Sequence, residues 1–151
     1  MVPSSEYPSI TRMCKSGYRF TILFIRMLIL SFSLSVGMMT SGFDIIYALQ
    51  DDDFDKEHKL FSVPAWLGKK GALIFSAVVH FFAGGLIVFV GFLANFGVWY
   101  WVGAVIFILL LIYQHTLVKP NDLSRVNLAF FTTNGIASVI FACFTVFSLF
   151  F

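Results

Sequence analysis

Four long apolar stretches separated by short polar connections organise this chain. The first runs from Phe20 to about Thr40, with Arg26 near enough to one end for its guanidinium to reach the polar boundary. From Gly71 to Tyr113 there are 43 residues without a single Asp, Glu, Lys or Arg. One membrane crossing takes about 20 apolar residues, so that stretch is too long for one helix and right for two. Leu93-Ala-Asn-Phe-Gly97 supplies the turn between them, and Trp99, Tyr100 and Trp101 suit the membrane interface beside it. The last stretch begins at Leu128. The pattern predicts an all-α polytopic membrane bundle with spans over about 20–41, 71–92, 97–114 and 128–150. Residues 1–19 are expected to be an irregular or rearranged lead-in to the main domain, 20–151.

Composition agrees with a lipid environment. The chain is 59% apolar and 12% charged, with 20 phenylalanines and a mean hydropathy of +0.89, against about 45–50% and 25% in soluble domains. A net charge of +2 with no basic face gives nucleic acid nothing to bind. Arg12, Lys15 and Arg19 precede the first apolar run, but the run exceeds the 7–15 residues of a signal peptide and has no small-x-small cleavage site after it. It reads as a retained span. Cys14 and Cys143 lie far apart without a metal-binding spacing and are expected to be free thiols.

Helices of alternating direction put the connections 44–70 and 114–127 on one side of the membrane. These carry Lys56, Lys59, Lys69, Lys70, Lys119 and Arg125, while the opposite hairpin carries no Lys or Arg. The positive-inside rule places them in the cytoplasm, as at a bacterial inner membrane, although Arg12, Lys15 and Arg19 then face outward.

Charge is also concentrated. Six of the eight carboxylates fall between Asp44 and Glu57. If the first helix continues through Asp55 at 100° per residue, Asp51 lies about −20° and Asp55 about +20° from Asp44, with Tyr47 flanking at about −60°. Asp52 and Asp53 would point elsewhere. Like charges one turn apart cost about 0.2–0.5 kcal/mol in water but roughly 3 kcal/mol at about 6 Å in a partly dry cleft. A solvated acidic loop is the plain alternative; the sharper reading is a hard cation held by oxygen ligands, for which Mg²⁺ shared with a phosphate group is suited. An EF-hand is excluded, because Lys56 and Ser62 stand where that loop needs Gly and Glu.

Further motifs surround the carboxylates. Asp44-x-x-Tyr47-Ala48-x-x-Asp51-x-x-x-Asp55 resembles the second aspartate-rich motif of the UbiA-type membrane prenyltransferases. Phe61-Ser-Val-Pro64, Leu67-Gly68, Leu117-Val-Lys119-Pro120-x-Asp122-Leu-Ser124-Arg125-Val and Ala129-Phe-Phe-x-x-Asn134-Gly135 extend the likeness from about Gly42 to the C-terminus. The branch most resembled acts in quinone biosynthesis, on 4-hydroxybenzoate or a naphthoate. The resemblance implies a polyprenyl diphosphate donor, an aromatic acceptor and Mg²⁺ as cofactor. It implies Asp51 and Asp55 as metal ligands, Asp44 as a supporting or ligating carboxylate, and Tyr47 as a lining residue. Lys119 and Arg125 are candidates for the diphosphate, or simply cytoplasmic anchors. No residue is assigned to proton transfer.

Two departures stand out. Gln114 occupies a position where the family often has Glu before His115, and the family's first motif, Asn-Asp-x-x-Asp-x-x-x-Asp, is nowhere in this sequence. The expectation is a truncated or split prenyltransferase, inactive alone, whose facing clamp comes from a separate chain; a non-catalytic remnant or accessory subunit is the alternative. His80 lies about 15 Å along a helix from Lys70, where a neutral imidazole bonded to a neighbouring helix is expected. Gly84, Gly85 and Gly91 are expected to permit close helix packing.

Overall fold

The computed structural model describes residues 10–151, and over that range the regular structure is helical. Helix α1 spans Ile10–Ala48, α2 Asp52–Glu57, α3 Val63–Leu93 and α4 Val98–Leu117. A π-helical segment, Leu128–Asn134, runs directly into α5, Gly135–Phe147. Four helical stretches are long and apolar enough to cross a membrane. Helix α1 packs along α3, α4 returns beside α3, and α5 covers α4.

The turns follow local chemistry. Ser62 caps α3, its hydroxyl accepting the Ala65 amide at 3.3 Å, and Pro64 sits in the first turn, where its missing N–H costs nothing. Gly68 then takes φ 71°, ψ 165°, which breaks the helix just before the predicted span. A side chain is strained in that left-handed region. The α3–α4 turn falls where the sequence placed it, with Asn95 at φ 51° and Tyr100 donating to the Ile87 carbonyl at 2.7 Å. A Cβ on Gly91 would meet Tyr100 and Trp101, and one on Gly103 would meet Phe144, so both glycines set interhelical approach. A Cβ on Gly85 would meet nothing within 4 Å, so a side chain there has room.

Two expectations need correction. Helix α1 starts by Ile10, so residues 10–19 are helical rather than irregular; 1–9 lie outside the described residues, as do the side chains of Arg12, Cys14 and Lys15. Cys143 is a free thiol and exposed. More important, no single helix runs from Asp44 to Asp55. Helix α1 ends at Ala48 in tightening bonds, Gln50 N–H to Tyr47 O at 3.1 Å and Asp51 N–H to Ala48 O at 3.2 Å, and α2 starts afresh. Asp favours turns and helix starts over helix interiors, and Asp52, Asp53 and Asp55 all sit in the first turn of α2, where the helix dipole favours negative charge.

Candidate functional site

At one end of the bundle the last turns of α1, the start of α3, the end of α4 and the loop 118–127 meet over a shared apolar plate. Ile45, Ile46, Leu49, Ala72, Leu117, Val118, Val126 and Ala129 are buried in it. Because Ile45, Ile46 and Leu49 turn inward, the same helical period turns Asp44 and Tyr47 outward, and Asp51 follows them as an exposed residue in the turn. Tyr47 leans on the start of the fourth span, its ring 4.7 Å from Phe130 and 6.4 Å from Phe131. Asp55 lies beyond the helix break, half-buried on α2, so it does not extend the α1 stripe.

The loop opposite has its own internal scaffold. Lys119 and Asp122 exchange backbone hydrogen bonds at 3.2 and 3.0 Å. The Asp122 carboxylate accepts the Ser124 hydroxyl at 2.6 Å and the Ser124 amide at 3.1 Å. Those two bonds, with the Arg125 and Lys119 charges adding, hold the Asp122 carboxyl below its ordinary range. This turn leaves Lys119 and Arg125 exposed. Gln50, in the turn between α1 and α2, donates to Asn127 Oδ1 at 3.1 Å. That bond ties the acidic turn to the basic loop.

Asp52, set aside on helical-wheel grounds, is fully buried. Its Oδ2 receives Lys56 Nζ at 2.8 Å and lies 3.8 Å from Lys69 Nζ, which is also 3.7 Å from Asp53. Asp52 Oδ1 has no hydrogen-bond partner. The carboxylate thus pins α2 to α3 and takes no part in the exposed face. A lysine four residues on was the available signal for half of this pairing; Lys69 became a partner only through tertiary folding.

A family model described as the UbiA prenyltransferase family matches residues 17–136. The chain belongs to that family. No curated protein and no solved structure matches it. Membership makes this an integral-membrane protein of a transferase family whose members generally use Mg²⁺.

The donor set of this UbiA-family protein fits Mg²⁺ in kind, since Asp44, Asp51 and Asp55 offer hard oxygen ligands. Among the described residues, however, no group of three or more His, Cys, Asp or Glu side chains is arranged to hold a metal.

Farther along the helices lies an open pocket of about 420 Å³, lined mainly by apolar side chains including Phe32, Met39, Ile87, Phe107 and Phe141. Between it and the acidic end sits a buried polar cluster. His80 Nε2 is 3.1 Å from the Met39 carbonyl, and its Nδ1 is 2.9 Å from both Gln114 Nε2 and His115 Nε2. The expectation of a buried imidazole bonded to a neighbouring helix holds, with α1 and α4 both supplying partners.

Proposed function

We propose that this protein supplies the second metal–diphosphate half-site of a polyprenyl transferase, with Asp51, Asp55 and Asp44 holding Mg²⁺ against a polyprenyl diphosphate. The observation that carries the reading is the acidic face of α1 and its following turn, tied through Gln50 and Asn127 to the loop bearing Lys119 and Arg125. Held there, Mg²⁺ would supply the positive charge that stabilises diphosphate as a leaving group; in the net transfer the allylic C–O bond would be replaced by a bond to an electron-rich ring, with diphosphate and the displaced ring proton as the other products. Arg125 offers a forked donor to phosphate oxygens and Lys119 a point charge. Tyr47, its ring tilted against Phe130, lines the site beside the carboxylates. The apolar pocket suits part of an isoprenoid chain.

The acceptor in this reading is an aromatic acid of the quinone pathway, 4-hydroxybenzoate or a naphthoate, and the acidic turn faces the cytoplasm of a bacterial inner membrane. Facing carboxylates come from another segment or a separate chain, so this polypeptide alone gives no turnover. Calorimetry on the chain in lipid nanodiscs tests the core of the proposal. Inorganic pyrophosphate should bind only with Mg²⁺ present, and Asp51→Asn should weaken that binding at least tenfold, about 1.4 kcal/mol. Pyrophosphate binding indifferent to both Mg²⁺ and Asp51 would sink it. Prenylated product from the chain alone, with Mg²⁺, polyprenyl diphosphate and 4-hydroxybenzoate, would refute the inactivity.

A second reading, a non-catalytic membrane remnant or accessory subunit, is supported by the lack of an Asn-Asp-x-x-Asp-x-x-x-Asp motif in this sequence. It predicts no Mg²⁺-dependent binding of pyrophosphate.

A further inference from the structure

Helices α1 and α3 are joined by three buried polar contacts that together define one register. The Ser35 hydroxyl donates to the Ala83 carbonyl at 3.0 Å, His80 Nε2 donates to the Met39 carbonyl at 3.1 Å, and the Ser76 hydroxyl donates to the Gly42 carbonyl at 2.7 Å. Residue 35 thus faces 83, 39 faces 80, and 42 faces 76. The steps of three and four along both helices are those of a continuous antiparallel seam. The next pair in the same progression, Ile46 and Ala72, is buried. Ser35, Ser76 and His80 are each at most 3% exposed.

Gly42 is what admits the imidazole. A Cβ there would lie 2.3 Å from His80 Nε2. Phe43 closes over the ring, with centroids 4.7 Å apart. Donation to Met39 places the His80 proton on Nε2, so Nδ1 is an acceptor, which is what Gln114 Nε2 and His115 Nε2 both approach at 2.9 Å. One ring therefore fastens α1 at Met39, five residues before Asp44, and α4 at His115, four residues before Lys119.

We propose that this seam, with His80 at its centre, is a positioning device that sets the height and rotation of the α1 carboxylates relative to the Lys119–Arg125 loop. The assignment rests on the diphosphate reading above for its functional consequence, but not for its geometry. Within lipid, apolar faces give helices little preference for one register over another, and polar contacts decide it. A slip of one residue would turn Asp44 by about 100° and move it about 1.5 Å along the axis. Asp44 and Tyr47 would then face the apolar plate or the lipid.

The test uses the full chain in nanodiscs with both native cysteines changed to serine and a reporter pair, Ile46→Cys with Ala72→Cys. The parent should cross-link efficiently through that pair. His80→Phe keeps the bulk and loses the donor; we expect its cross-linking to fall severalfold and its Mg²⁺-dependent pyrophosphate affinity about tenfold, with helical content retained. His80→Gln, which restores an N–H at similar reach, should recover most of both, whereas a role in bulk packing alone would favour Phe over Gln. Parent-like cross-linking and affinity in His80→Phe would overturn the proposal. If His80→Phe does not fold, Ser76→Ala removes a neighbouring contact and must show the same direction of change, or the proposal fails. If the parent does not bind pyrophosphate at all, the diphosphate reading fails while the cross-linking comparison still decides the seam.

Discussion

Asp52 and Asp51 are neighbours with opposite duties. Asp51 is exposed and available to a ligand, whereas Asp52 is sealed beneath Lys56 and Lys69. The asymmetry of buried charge gives a sharp expectation. Lys56→Met strands the carboxylate without its nearest donor and should cost about 1–3 kcal/mol. Asp52→Asn removes the charge, keeps the shape and leaves two lysines that reach water, so it should cost less. Unfolding of both variants in detergent, ranked against the parent, checks the order. Nothing in the sequence marked Asp52 for burial, because half of the reason lies seventeen residues downstream on another helix. Asp122 offers a pH-dependent counterpart. Its folded pKa is depressed, so the order it lends the loop is complete above the ordinary carboxylate range and is lost as pH falls through the lowered value. The difference in melting temperature between the parent and Asp122→Asn should be constant from pH 7 to 5 and should shrink below that range.

At the scale of the element, the apolar runs were legible and the acidic helix was not. Lipid-length hydrophobic stretches have one stable form, which is why four of them were countable and why the turn at Asn95 was foreseeable, although α3 begins at Val63, eight residues before the expected 71. Extending a 100° wheel through five clustered charges failed because it ignored what Asp does at a helix end. Asp44 and Tyr47 nevertheless share the exposed face that the wheel assigned them, since both precede the break; Asp55 follows it. Glycine shows the same dependence on local backbone. Gly68→Ala should destabilise by about 1–2 kcal/mol, because φ 71° is left-handed. Gly85→Ala, helical and touching nothing within 4 Å, should stabilise by about 0.4–1 kcal/mol. Thermal melts of the two single variants in one detergent give the comparison, and equal signs would contradict it.

For the whole molecule, the arrangement of ends is the testable unit. In a background without native cysteines, cysteines at 53 and 121 should react with a membrane-impermeant maleimide from the same side of a sealed vesicle, and one at 95 from the other. Labelling of 53 and 121 from opposite sides would contradict the shared acidic and basic end. The carboxylate face and the basic loop were readable in outline from motif and charge. What the sequence could not show was how they meet: Gln50 with Asn127, and His80 with Gln114 and His115, are separated by at least 34 positions along the chain. Helix α1 carries one more consequence. Arg26 and Asp44, both exposed, stand eighteen positions apart on it, about 27 Å of helix, close to the roughly 30 Å of bilayer hydrocarbon. The two charges therefore mark a pair of waterlines. A thinner membrane can be met by tilting the helix, and a thicker one by pinching the bilayer locally or by the Arg26 side chain stretching out to the interface.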